Sequence, residues 1–498
     1  PFVVAGHNSD IAWGMTNVGV DDLDFYIEKV SADKPDRYLY RGEWKKMEVR
    51  KEIISVKGGT KVERTLRFTH RGPVISEIKK LENITVSMRW LGNEKGKDNV
   101  FRSIYLLNRA KDWTGFKDAL TSFLSTSQNI NYADTKGNIG IYCAAGIPVR
   151  DRGDGMALSP GWTGEYEWKG VLPFEQKPNS YNPAKGFVSS ANNRTAGPSY
   201  RHHISRWGFA VPYRIDRINE LLASKEKFSV EDFKQMHLDV ESSFARMVLG
   251  ELVGELKRAA PTGEKERKVL TLLEKWDGAM TPDSPAPTIF DAFVLEFLKE
   301  TLADEMGDEL FADFIKERGT SQHAFRNLWK NKKSVWFDRT STADKKEGFS
   351  DISLSGFSGA IKRLSELMGG NPDKWQWGKV HTLTLQHPLG SVKLLDFLFN
   401  LNRGPYPLGG SYHTIPQFAY KNEAPFAVVH GPSQRHIYDL SDWDKSLSII
   451  PTGNSGIPAS GHYCDQTGLF ANGEYHPDHF SRTAVEKNAV YTMTLRGE

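Results

Sequence analysis

Cysteine is nearly absent from this sequence: Cys143 and Cys464 are the only two. Two widely separated thiols build neither a disulfide framework nor the short ligand spacings of a zinc site, and they read as structural thiols. Long apolar runs are missing too. The richest, residues 394–401, is far shorter than a membrane span and contains Asp396. Charge excess is also lacking: 65 Lys and Arg against 62 Asp and Glu leave +3, too little and too dispersed for a nucleic-acid-binding face. There is no internal repeat, no low-complexity tract and no linker-like stretch. No G-x-S-x-G elbow marks a hydrolase serine, and the GNSG at 453–456 resembles one only loosely. The first residues, PFVV, are neither an initiator methionine nor a signal peptide. Processing or truncation is therefore expected to have removed what precedes them.

What is present reads as a soluble globular chain, 39% apolar and 26% charged. The first 150 residues are β-rich. Residues 11–16 and 24–30 are strand candidates, and residues 51–56 and 62–68 alternate apolar and polar side chains as half-buried strands do, with a Gly-Gly turn between them. Residues 129–133 and 139–144 flank DTKGN and read as a hairpin. A helix is expected over residues 112–124 with Asp112 as its N-cap. Residues 153–212, rich in Gly, Pro, Asn and aromatics, form a long irregular stretch of the kind that is often functional. Helical patterns follow. One opens at Ser229, with Phe228 stapled onto Phe233; others cover 249–259, 264–276, 289–302 and 352–368. Strands return late, at 426–429 and 489–495. The order predicts an α+β core carrying a helical insertion: residues 1–225 form the sandwich with its loops, 226–370 the helical insertion, and 371–498 the return to the core.

The candidate chemistry is sparse. His202 and His203 are adjacent, so on a strand they point to opposite faces and do not share a zinc ion. The DDLD at 21–24 reads either as a solvated loop or as a hard-cation site, without the full EF-hand spacing. Asn192-Asn193 ends an expected strand at 186–191, either as a turn former or aiming an amide donor at a developing oxyanion. Arg214 falls in the first turn of an expected helix, where the helix dipole prefers anions, which hints at another task.

At these residues a resemblance emerges. In chain order the sequence carries GHNSDIAWGMT at 6–16, DDLD at 21–24, HRGPV at 70–74, NYAD at 131–134 with GNIG at 137–140, and WKG at 168–170 with LPF at 172–174. It continues with NN at 192–193, PYR at 212–214, WDG at 276–278, GG at 409–410, and GNSG at 453–456 with HYCDQ at 462–466. Each is weak alone. In this order they resemble the β chain of the penicillin acylase family over the whole length. The resemblance implies an N-terminal-nucleophile αββα sandwich, made when a precursor cuts itself into an α and a β chain. The new N-terminal serine attacks the substrate amide with its own α-amino group as base. That serine and the α chain are expected outside this sequence.

The resemblance assigns roles residue by residue. Asn17 sits where the family supplies a backbone N–H to the oxyanion hole, Asn192 where it supplies a side-chain amide, and Arg214 where an arginine holds that asparagine. Val4, Ala5, Thr16 and Ile130 fall at acyl-pocket positions. Penicillin G enzymes carry a large aromatic at the place of Ala5, so a methyl there implies another acyl group. A structural calcium is implied at Asp21, the Leu23 carbonyl and Asp24, although His203 stands where the family has a further Asp ligand. The substrates implied are β-lactams with an amide side chain or N-acyl homoserine lactones, the partner is the α chain, and the location is periplasmic or secreted. The contrasting reading is a fragment or degenerate relative that acts in binding.

Overall fold

The computed structural model describes residues 2–94, 96, 98–205 and 208–497. It divides into two compact units, Pro1–Ala210 and Val211–Glu498. The first holds strands β1 (Gly6–His7), β2 (Ile11–Asn17) and β3 (Leu23–Glu28), the hairpins β4 (Arg37–Tyr40)/β5 (Glu43–Lys46) and β6 (Glu48–Ile54)/β7 (Val62–Phe68), and β8 (Thr85–Trp90). Helices α1 (Val100–Leu107) and α2 (Trp113–Leu120) follow. Then come β9 (Gln128–Asp134), β10 (Ile139–Ala144), β11 (Pro148–Arg150), β12 (Ser159–Pro160), β13 (Trp168–Val171) and β14 (Asn179–Tyr181). A five-stranded antiparallel sheet runs β1-β2-β9-β10-β14, and a three-stranded sheet runs β12-β3-β8.

The register of β2 on β9 pairs Trp13 with Tyr132, Met15 with Ile130 and Thr16 with Asn129. Because side chains alternate across a strand, Ile11, Trp13, Ile130 and Tyr132 share one face. There they form a buried core with Ile104, Leu107, Phe116 and Leu120 of the two helices. Gly140 of β10 lies on this face, where a Cβ would come within 2.5 Å of the Trp113 ring, so glycine is what lets the indole approach the sheet this closely. The Asp112 carboxylate caps α2 as expected, accepting from Gly115 N at 2.9 Å. The helix stops at Leu120, short of the expected end, because the Leu124 N–H turns to the Asp98 carboxylate instead.

β3 reverses the usual pattern. Its apolar residues Leu23, Phe25 and Ile27 are half-buried, while Asp24, Tyr26 and Glu28 are buried. Two arginines make this possible. Arg71, with a side chain 1% exposed, donates to Glu28 at 3.0 Å, to Glu167 at 2.5 Å and to the Gly161 carbonyl at 2.7 Å, and lies 4.4 Å over the Tyr26 ring. Ser87 adds a hydrogen bond to Glu28 at 2.6 Å. Arg150 takes Asp24. A buried carboxylate is tolerated when paired and hydrogen-bonded in this way. By contrast, β6 is exposed along its whole length, while Val62, Leu66, Arg67 and Phe68 of β7 are half-buried. The alternation predicted half-burial, which β7 shows along Val62, Leu66 and Phe68 and β6 does not.

The second unit contains α3 (Tyr213–Leu222), α4 (Val230–His237), α5 (Ser243–Ala259), α6 (Glu264–Glu274), α7 (Ala286–Lys316), α8 (Arg318–Lys330) and α9 (Phe349–Met368). Ser229 caps α4 reciprocally with Asp232, and the Phe228 and Phe233 rings meet at 5.9 Å. The core is aromatic: Phe293 and Phe297 of α7 pack with Phe325 and Trp329 of α8 and with Phe349 of α9. Gly356 brings the α9 backbone against Phe297, whose Cα a Cβ there would approach to 3.1 Å. α7 kinks at Gly307, where φ is 71°. Further on lie α10 (Trp377–Val380), β15 (Thr382–Leu385), α11 (Lys393–Phe399), β16 (Arg403–Pro407), β17 (Arg435–Ile437) and β18 (Leu447–Ile449), then α12 (Thr467–Asn472), β19 (His476–Pro477) and α13 (Arg482–Asn488). Two expected strands are not formed. Within 426–429 only Val428 makes an isolated bridge, and 489–495 is irregular and exposed.

Burial alone would raise the Glu167 carboxyl, but the hydrogen bond from His70 and the Arg71 guanidinium outweigh it and hold the pKa at about 2, against an ordinary 4.5. The folded state thus binds the proton less tightly than the unfolded chain. This stabilisation is complete above pH 4.5 and is lost as pH falls from there through about 2. Denaturant melts across this range will show stability falling with acid, and Glu167→Gln will flatten the slope; an unchanged slope would remove Glu167 as the cause.

Candidate active site

The exposed end of β2 is where the candidate residues gather. Val18 N–H bonds the Ser127 carbonyl at 3.1 Å. In an antiparallel ladder this makes Val18/Ser127 and Thr16/Asn129 the hydrogen-bonded pairs and Asn17/Gln128 a non-bonded pair. The Asn17 N–H and C=O therefore point away from β9, and β1 pairs only as far as Trp13. Into this gap comes Asn192, whose Nδ2 donates to the Asn17 carbonyl at 3.1 Å. N–H and C=O of one strand residue share a side, so the Asn192 amide lies beside the Asn17 N–H. The Asn192 amide is thus seated on the edge of β2 from which the Asn17 N–H also points.

Asn192 does not end a strand, contrary to expectation. Residues 187–190 carry no strand pairing, and Asn192 itself has φ 62°, a left-handed conformation that asparagine tolerates better than most residues. Its carbonyl accepts from Ala210 N at 2.7 Å, and Asn193 Oδ1 accepts from Ala191 N at 3.0 Å. Side chains replace the missing ladder. Thr16 Oγ1 and Ser190 Oγ meet at 2.5 Å, while Asn129 Nδ2 donates to Ser190 Oγ at 3.3 Å and to Thr195 Oγ1 at 3.0 Å. Asn129, Ser190 and Thr195, with Cys143, Asn179 and Tyr200, line a cleft of about 640 Å³. Burial pushes the Cys143 thiol up to about 12, so it stays protonated and is no nucleophile.

The acyl-pocket candidates divide between faces. Thr16 faces the side of Asn129 and Ser190, whereas Ile130 faces the helix side and is wholly buried in its core. Met15, which sequence reasoning passed over, is the residue opposite Ile130 and packs against the same core. Only the register of the two strands shows this neighbourhood. Val4 is tied to this face: its carbonyl accepts from the Trp13 indole at 2.8 Å, while Val3 exchanges two hydrogen bonds with Asn108. Val4 is exposed and Ala5 half-buried.

Arg214 belongs to the second unit, in the first turn of α3. Desolvation by burial pulls its guanidinium below the ordinary value, opposed by the Tyr412 hydroxyl. The neighbouring His413 ring is pushed down to about 3 by burial, with Arg214 and Arg318 adding to the effect, and so is neutral.

The implied calcium does not fit the folded donor set. Both Asp24 oxygens accept from Arg150, at 2.7 and 2.9 Å, and one also accepts from the Trp168 indole at 2.6 Å. Asp21 accepts from Ser205 at 2.9 Å and meets His203 Nε2 at 2.7 Å. Leu23 opens β3 opposite Trp90. Among the described residues no group of three or more His, Cys, Asp or Glu is placed to hold a metal ion. His202 Nε2 accepts from Arg201 at 3.0 Å, apart from the His203–Asp21 pair.

The α+β fold is that of the N-terminal-nucleophile hydrolases. The chain superposes on a thermostable penicillin G acylase from Alcaligenes faecalis with a TM-score of 0.73 at 22% identity, covering 100% of this chain and 90% of that one. Residues 1–487 match the Penicillin amidase family, and the chain belongs to it. Among curated relatives, the acyl-homoserine lactone acylase QuiP of Pseudomonas aeruginosa is 28% identical over 99% of this chain and 62% of its own length. The penicillin acylase 2 proenzyme of Pseudomonas sp. is 26% identical over 98% and 61%. Penicillin G acylase of Escherichia coli is 31% identical over 61% of this chain and 36% of its own length. The chain thus spans about three-fifths of the length of the first two.

Ser190 joins the Asn192 segment to both β2 and β9. Ser190→Ala will leave the buried Asn129 amide and the Thr16 hydroxyl each short of a partner, costing about 1–3 kcal/mol. Urea unfolding measures this, and an unchanged midpoint would show that the segment is held elsewhere.

Proposed function

We propose that the complete protein is an acylase. It hydrolyses the amide of an N-acyl homoserine lactone or of a β-lactam side chain, through an acyl-enzyme on an N-terminal serine outside these residues. The observation that carries this is the Asn192 amide beside the Asn17 N–H at the open end of β2. Membership of the Penicillin amidase family supports it, as do relatives named for both substrate classes.

In this reading the serine oxygen attacks the amide carbon while its proton passes, through a water, to the serine's own α-amino group. The carbonyl oxygen gains the electron pair and is held by the Asn17 N–H and the Asn192 amide. Collapse breaks the C–N bond, the α-ammonium returns its proton to the leaving amine, and water then releases the acid from the ester. For Arg214 the likeness to the family alone supplies a role, the holding of this asparagine. Of the acyl-pocket candidates, Val4, Ala5 and Ile130 line the pocket with Met15, which shares the Ile130 face, while Thr16 lies on the opposite face and holds Ser190; the small Ala5 side chain favours a bulky or long acyl group.

The partner is an α chain cut from the same precursor, and the enzyme works in the periplasm or outside the cell. A further chain would suit α11, where Leu394, Phe397, Leu398 and Phe399 are 60–85% exposed; solvated apolar patches of this kind mark interaction sites.

The full gene, expressed and analysed by intact mass, will give two chains, the larger beginning with serine. That product will release amine from N-acyl homoserine lactones, with a rate that depends on chain length. Asn192→Ala will lower kcat by roughly 10²–10³-fold, and Asn192→Gly, which keeps the left-handed backbone unstrained, will lower it as much. Undiminished turnover in both variants overturns the oxyanion assignment. A single uncut chain without turnover supports the binding reading instead, and an absolute preference for phenylacetyl amides contradicts the roomier pocket.

A further inference from the structure

The loop at 21–24 has the carboxylates of a cation site, and a cation is already there. Arg150 spans Asp24 with two parallel hydrogen bonds, and its Nη2 also donates to the Asp21 carbonyl at 2.6 Å. One guanidinium therefore takes a carboxylate and a main-chain carbonyl of the same turn, the two kinds of oxygen that calcium would gather. The pair is sealed, with both side chains 5% exposed. Gly155 closes over it at φ 81°, where a Cβ would lie 2.2 Å from Asp24 Oδ1 and 2.8 Å from Arg150 Nη2. The Trp168 indole donates to Asp24 Oδ2, and the Arg150 guanidinium lies 5.7 Å from the ring centroid. The other carboxylate, Asp21, is taken by His203 and Ser205.

We infer that Arg150 is the resident cation of this turn, and that the first unit folds without calcium there. Calcium needs six to eight oxygens at about 2.3–2.6 Å, and the Asp24 oxygens face N–H donors at that side. A divalent ion brought within a few ångströms of an arginine, which stays charged throughout the accessible pH range, would be repelled in a site so closed to water.

The test uses the complete enzyme made from its full gene. Terbium binds calcium sites and emits when excited through a nearby indole, and Trp168 touches Asp24. The expected result is no terbium emission that Trp168→Phe removes, together with a melting temperature unmoved by excess EDTA or millimolar calcium. Arg150→Gln will lower the melting temperature by several degrees, with or without calcium. Emission that is lost in Trp168→Phe and in Asp24→Asn would overturn the inference, as would an Arg150→Gln enzyme as stable as its parent. If Arg150→Gln does not fold, the terbium measurement on the parent and on Trp168→Phe still decides.

Discussion

Much in the first unit depends on how β2 lies against β9. A shift of one residue would carry every side chain of the strand to the opposite face. Trp13 would leave the helix core, and Thr16 would lose Ser190. Asn17 would become a bonded partner of β9, with its N–H and C=O consumed by the ladder. The apolar residues Ile11, Trp13, Ile130 and Tyr132 fix the register by burial, and the site follows as a geometric consequence. The same pairing that packs the core leaves one peptide unit at the strand end open to the Asn192 amide.

The inward face of β3 shows a second constraint. Asp24, Tyr26 and Glu28 lie on the buried side of the strand, and two arginines from distant segments answer the two acids. Charges buried this way add little net stability over an apolar pairing, yet removing one partner is expensive, because the other remains desolvated. Such a face tolerates few neighbours. It accepts only the segments that bring Arg71, Arg150 and Trp168 to the right places, and so it specifies how the 153–170 stretch, with its short strands β12 and β13, closes over the sheet.

Much of this was legible in the sequence where the signal was local. Asp112 and Ser229 cap the helices they precede, and the 129–144 hairpin stands where DTKGN placed its turn. Failures came where a partner decides. A strand exists only when another strand pairs with it, and residues 489–495 have the composition without the pairing. The alternation in 51–68 was right about both strands and about the half-buried apolar side of β7, and wrong about the burial of β6, because alternation cannot say whether a layer covers a face. β3 is the sharpest case: apolar periodicity alone selects Leu23, Phe25 and Ile27 as the inward residues, and only the remote arginines reverse this. Asn17, Asn192 and Arg214 become candidates together only through family order. Ser190, Asn129 and Met15 needed the register.

The left-handed backbone at Asn192 has a consequence for how such a protein can change over generations. The position imposes two demands at once, a positive φ and a short carboxamide able to reach the Asn17 carbonyl. Glycine meets the first without the second, and glutamine carries the amide on a longer stem with a poorer tolerance of that backbone. Asparagine satisfies both, so this codon is locked while its surroundings are not. Exposed residues such as Val4, by contrast, sit where substitution disturbs little packing. Substitutions at such exposed positions can therefore be absorbed one codon at a time, whereas at Asn192 each change must answer to the backbone and to the Asn17 carbonyl together.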